Sequence, residues 1–141
     1  MNPPKGKPGV VIVPCSGIGK AYGSVSREAA YDVTEDLRPG QTQLIPLALL
    51  VLSDEESRAI LAECPAVTID GCKLACAAKL VRQSGGTIAQ EFAVLDTYRQ
   101  HKDLKPEGIA ELNAGGMKLA RVLAEEVSAV VDQLTRGGEH A

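Results

Sequence analysis

Apolar residues fall along the chain in two alternating kinds of run: short β-branched blocks, and longer stretches in which apolar positions recur about every 3.6 residues. Gly9 to Pro14 is the first block, set between a Pro/Gly-rich leader and a glycine loop, and it reads as a buried parallel strand. Val25, Ala29, Ala30, Val33 and Leu37 then mark a helix that Ser24 or Ser26 can cap and that Pro39-Gly40 ends. Leu44 to Leu52 is uniformly apolar and is expected to be a strand bent at Pro46. Ser53-Asp54-Glu55-Glu56 has the spacing of a capping box and opens a helix that closes near Cys64-Pro65.

The strand-turn-helix pattern then repeats. Ala66 to Asp70 predicts a strand, Gly71 a turn, and Lys73 to Ser84 a helix with Leu74, Ala78 and Val81 on one stripe, closed by Gly85-Gly86. Glu91 to Leu95 is expected as a last strand, Pro106 to Leu112 as a short helix, and Met117 to Leu134 as a long amphipathic helix. Strands alternating with helices predict a small three-layer α/β domain with a mostly parallel, Rossmann-like sheet. With no internal repeat and no linker, residues 1–141 are expected to form one domain, with 1–8 a flexible leader and 136–141 a frayed tail.

Composition narrows the functional classes. Fifteen Lys and Arg against eighteen Asp and Glu give a net charge of -3, and with one Phe, three Tyr and no Trp there is little for nucleic acid to bind or stack on. The longest apolar runs fall well short of the roughly 18 residues of a membrane-spanning helix, so neither nucleic acid nor a membrane is expected as a partner. The leader has no signal-peptide cleavage pattern, which predicts a cytoplasmic chain. In that reducing compartment four cysteines are not a disulfide framework and call for a chemical explanation.

Cys15 follows the first predicted strand and Cys72 follows the strand ending at Asp70, so in a parallel sheet both reach the carboxyl edge, where open α/β sheets bind ligands. If a helix begins at Cys72 or just after it, Cys76 lies one turn along, about 5 to 6 Å away between Cβ atoms, and two thiolates at that spacing can share an ion. Zinc takes four ligands in a closed structural site and three plus an open position in a reactive one, and Cys15, Cys72 and Cys76 supply three. Cys64 enters its strand from the amino end, roughly five strand residues away at about 3.3 Å each, and joins them only if the segment folds back. Asp70 is expected to cap the helix carrying Cys76, or to support a metal ligand from behind. His101 and His140 lie in polar surroundings and are expected to be exposed.

The loop Cys15-Ser-Gly-Ile-Gly-Lys20 also presents Gly17, Gly19 and Lys20 as anion-binding candidates, since glycines after a strand expose backbone donors. It is not a nucleotide P-loop, because Pro14 stands where the first glycine belongs and Ala21 where Ser or Thr belongs. Nor does an arginine close it before Arg27, as a cysteine-nucleophile phosphatase requires.

Pro14-Cys15-Ser16-Gly17-Ile18-Gly19-Lys20, together with Ile69-Asp70-Gly71-Cys72 and Ala75-Cys76-Ala77, resembles the DGC-domain family, named for its Asp-Gly-Cys motif, over roughly residues 9 to 95. That resemblance implies a small prokaryotic domain chelating zinc through four cysteines and implies no particular reaction. The chain departs from the family pattern in one place: the apolar segment Leu44 to Leu52 holds no cysteine, so residue by residue only Cys15, Cys72 and Cys76 carry over. Cys64 is left as the candidate fourth ligand. Three functions fit these residues: a zinc-binding module, a redox or sulfur-transfer enzyme using Cys72 with Cys76 or Cys15, and a module that delivers metal or sulfur to a protein partner. The i, i+4 spacing favours metal, because two cysteines on one helix face make a strained disulfide.

Overall fold

The computed structural model of the chain describes residues 9–15, 20–71, 74–108 and 111–140, the last four by backbone alone; the 1–8 leader lies outside them. Four strands form one all-parallel sheet: β1 (Val10–Pro14), β2 (Thr42–Leu44), β3 (Ala66–Asp70) and β4 (Ile88–Ala93), in the order β2-β1-β3-β4. Every residue of β1 and β3 is buried, as expected of central strands that helices cover on both faces, and β3 buries the polar Thr68 and Asp70 with the rest. Alternation along the strands divides the core. Val10, Ile12, Val67 and Ile69 face a layer made by α1 (Ala21–Tyr31), α5 (Val94–Gln100) and α6 (Ala114–His140). Val11, Val13 and Ala66 face α2 (Leu47–Val51), α3 (Glu55–Glu63) and α4 (Cys76–Gln83). The result is the three-layer Rossmann-like architecture expected from the alternating pattern.

The chain moves outward from β1 to β2 and then returns to place β3 on the other side of β1. This reversal puts a topological switch point between the carboxyl ends of β1 and β3, the position at which open parallel sheets form a binding crevice. Residues 11–14 of β1 pair with 66–69 of β3, so the two strands end level with each other.

Several elements differ from the sequence-based expectation. Leu44 to Leu52 is not a bent strand: β2 stops at Leu44, and Pro46, with φ -65, stands at the N-cap of α2. Proline has no N–H for a sheet ladder but is preset for a helix start. Ser24 and Ser26 do not cap α1; both are buried inside it, and Lys20 holds the N-cap position. The cap of α3 is Asp54 rather than Ser53, because Ser53 is left-handed (φ 58) while Asp54 Oδ2 accepts from the Ser57 N–H at 2.9 Å. The last strand begins at Ile88, and Val94 already opens α5. No helix forms among the described residues of 106–112. Asn113 takes that segment's backbone instead, its Oδ1 accepting from Glu107 N and from Gly116 N, which also caps α6. α6 starts earlier and runs further than Met117 to Leu134, and Arg38, which ends the π-helical stretch Asp32–Leu37 that continues α1, ties that stretch to α6 through a two-pronged pair with Asp132, both contacts 2.7 Å. Among the described residues no helix is long and apolar enough to cross a membrane.

Three buried hydroxyls, those of Thr68, Ser128 and Thr135, have no hydrogen-bond partner among the described residues. Thr68 is fully buried in β3, and among the described residues its hydroxyl has no hydrogen-bond partner. A buried unsatisfied hydroxyl costs about 1 to 3 kcal/mol, so Thr68→Val, which keeps the shape and removes the polar atom, is expected to raise stability by about 1 kcal/mol in urea unfolding. A destabilised variant would contradict that account of the hydroxyl.

Candidate functional site

The carboxyl ends of β1 and β3 bring Cys15, Asp70 and Gly71 together at the switch point. Cys15 is 4% exposed and belongs to the apolar cluster on the α2–α4 side, yet its sulfur also meets α1 from the opposite layer. Its Sγ lies 3.2 Å from Ser26 Oγ and accepts the backbone N–H of Gly71 at 3.1 Å. The sulfur therefore sits where the two helical layers meet past the end of the sheet.

This junction depends on Gly71. A Cβ there would stand 2.8 Å from the backbone nitrogen of Gly23 and 2.8 Å from the carbonyl carbon of Tyr22, closer than real Cβ atoms come. The first turn of α1 thus lies directly on the β3 turn, and only a residue without a side chain admits it. The Tyr22 ring packs on Tyr98 of α5, centroids 6.0 Å apart, which holds that turn of α1 in place from the far side.

Asp70, 5% exposed, reaches across the turn to the start of α4. Its Oδ1 accepts from the Ala77 N–H at 2.8 Å and its Oδ2 from the Ala78 N–H at 3.3 Å, satisfying donors that a helix start leaves without intrahelical partners. Burial pushes its carboxyl above the ordinary range, against the opposing pull of those two N–H donors. The expected capping role of Asp70 is what the geometry displays, though the cap is supplied from a strand seven residues upstream of its main partner.

The predicted helix over Lys73 to Ser84 starts later, at Cys76, because Ala75 is left-handed (φ 52, ψ 48) and an α-helix does not propagate back through such a residue. The expected pairing of Cys76 with Cys72 one turn away falls on a residue outside the described ones. Cys76 is the first residue of α4, half-buried, at the same carboxyl edge as Cys15. Lys20 is exposed at the N-cap of α1. Cys72, Gly17 and Gly19 lie outside the described residues. Cys64 is at the C-cap of α3, just before β3 begins, so the length of that strand, about 16 Å, separates it from the carboxyl edge. Among the described residues no group of three or more His, Cys, Asp or Glu side chains is placed to hold a metal ion.

Two site residues escaped the sequence reading. Ser26 had been a candidate helix cap, and nothing in its spacing marks it as a neighbour of a cysteine eleven residues earlier. The sequence marks Gly71 as a turn residue within the Asp-Gly-Cys motif, but its packing against α1 is visible only in three dimensions.

No curated protein and no solved structure matches the chain. Residues 11–133 match the DGC domain family, a span that runs from β1 into α6 and so covers all four strands. The cysteines that follow β1 and β3 in sequence, the Asp70-Gly71-Cys72 sequence at the carboxyl end of β3, and the match across most of the fold agree: the chain belongs to the DGC domain family.

Proposed function

We propose that the protein holds a zinc ion at the switch point through the thiolates of Cys15, Cys72 and Cys76. The observation that carries this reading is the setting of Cys15: a buried sulfur at the carboxyl edge, receiving a backbone N–H from the residue that precedes Cys72. An N–H aimed at sulfur favours the anionic thiolate that a soft divalent ion requires, and the donor set suits zinc. Cys76 at the start of α4 supplies a second sulfur to the same edge, and Asp70 fixes the start of α4 from behind by holding two of its N–H groups. Zinc bound by three protein thiolates keeps a fourth position for water, a substrate or a partner's side chain, and supplies Lewis acidity there. Cys64, at the opposite edge, is left out of the ligand set.

The test is elemental analysis of untagged protein purified without chelator, paired with a thiol count in native and denatured samples. About one zinc per chain is expected, lost in Cys72→Ser and Cys76→Ser and kept in Cys64→Ser. Metal-free protein with one thiol reacting far faster than the rest would reject the zinc reading in favour of thiol-based redox or sulfur transfer by Cys72.

A further inference from the structure

Ser26 is fully buried in α1, and three acceptors surround its hydroxyl: Gly23 O at 2.6 Å, Cys15 Sγ at 3.2 Å and Cys15 O at 3.5 Å. A serine hydroxyl has one hydrogen and cannot serve all three at once. Helical serines commonly bond back to a carbonyl three or four residues earlier, which accounts for Gly23. It does not account for the sulfur of a residue on another element, reached past the edge of the sheet.

While Cys15 keeps its proton, the short bond to Gly23 O takes the serine hydrogen and the thiol donates S–H to Ser26 Oγ. A metal-bound thiolate has no hydrogen to give, so the direction of that contact must reverse. We infer that Ser26 is a positioning residue for Cys15: if the sulfur held a metal as thiolate, its proton released to water, the serine hydroxyl would turn from Gly23 O to donate to Sγ. Together with the Gly71 N–H it would then hold the thiolate by two donors, one from inside α1 and one from the turn after β3. Gly23 O gives up little, since a carbonyl in the first turn of a helix has an intrahelical N–H partner as well. No oxidant or further reactant is involved. The inference rests on the zinc reading above and adds to it a residue outside the cysteine set.

The experiment uses cobalt(II) as a spectroscopic stand-in for zinc, together with zinc affinity from chelator competition, on the full chain and on Ser26→Ala and Ser26→Thr. Removing a hydrogen-bond partner of a metal ligand typically costs about tenfold or more in affinity, so Ser26→Ala is expected to bind zinc about tenfold more weakly and to shift the thiolate-to-cobalt charge-transfer band. Ser26→Thr, which keeps the hydroxyl, is expected to restore both. Wild-type binding with an unchanged affinity and band in Ser26→Ala would overturn the role of Ser26 and leave the metal centre standing. Equal weakening in both variants with an unmoved band would reduce Ser26 to packing and overturn it as well. A wild-type chain that binds neither ion would overturn the zinc reading and this inference together.

Discussion

Gly71→Ala is expected to destabilise the protein by about 2 to 3 kcal/mol, because the added methyl meets the Tyr22–Gly23 peptide group rather than a side chain that can swing away. Relief requires moving the first turn of α1 off the end of β3, and that motion lengthens the Gly71 N–H contact to Cys15 Sγ. The variant should therefore lose metal as well as stability, and the two losses have one cause. Urea unfolding with elemental analysis measures both. Gly40→Ala is the control: a Cβ there has open space and no left-handed backbone to oppose it, so the smaller unfolded-state entropy of alanine should leave the protein neutral or stabilised by about 0.5 kcal/mol. If the two alanines behave alike, the close approach of α1 to β3 is not what Gly71 serves.

Asp70→Ala should cost about 2 kcal/mol, since it leaves the Ala77 and Ala78 N–H groups at the start of α4 without acceptors in a buried setting. Asp70→Asn keeps one side-chain oxygen for them and should cost less. The two also differ in pH dependence, and the sign follows from the direction of the shift. Burial raises the Asp70 pKa above its ordinary 3.8, so the folded protein binds that proton more tightly than the unfolded chain does. The ionised group is the less favourable form in the fold. As pH falls from neutrality through the raised pKa toward the ordinary value, wild type should gain stability relative to Asp70→Asn, and below the ordinary value the difference should level off. Unfolding free energies of the two proteins across that range give the comparison directly. A wild type that loses ground to Asp70→Asn on acidification would mean that the two N–H donors outweigh burial at this carboxylate.

Much of the layer structure could be read from local pattern. Val10–Pro14 is an apolar, β-branched run without polar alternation, which only a doubly covered strand accommodates, and Ala66–Asp70 is equally buried although it carries Thr68 and Asp70. The long apolar stripe after Met117 likewise announced α6, whose Leu119, Leu123 and Val127 are all core. Where the pattern misled, single residues decided the outcome. Pro46 converted an apolar run from strand to helix start, and Asn113 drew the backbone of the segment before it into a loop by offering side-chain bonds in place of helical ones. Ala75 shortened α4 by adopting a left-handed conformation that no propensity assigns to alanine.

The candidate site divides along the same line. That Cys15 and Cys72 follow strands, that Asp70 can cap a helix, and that a parallel sheet binds at its carboxyl edge are all local or topological facts, and a one-dimensional chain carries them. The strand order that makes β1 and β3 neighbours, the contact of α1 with Gly71, and the meeting of Ser26 with the Cys15 sulfur were decided only by the tertiary structure. These are distances between segments far apart in sequence, set by how side-chain volumes pack between layers, and hydrophobic periodicity records which face of an element is buried without recording what lies against it.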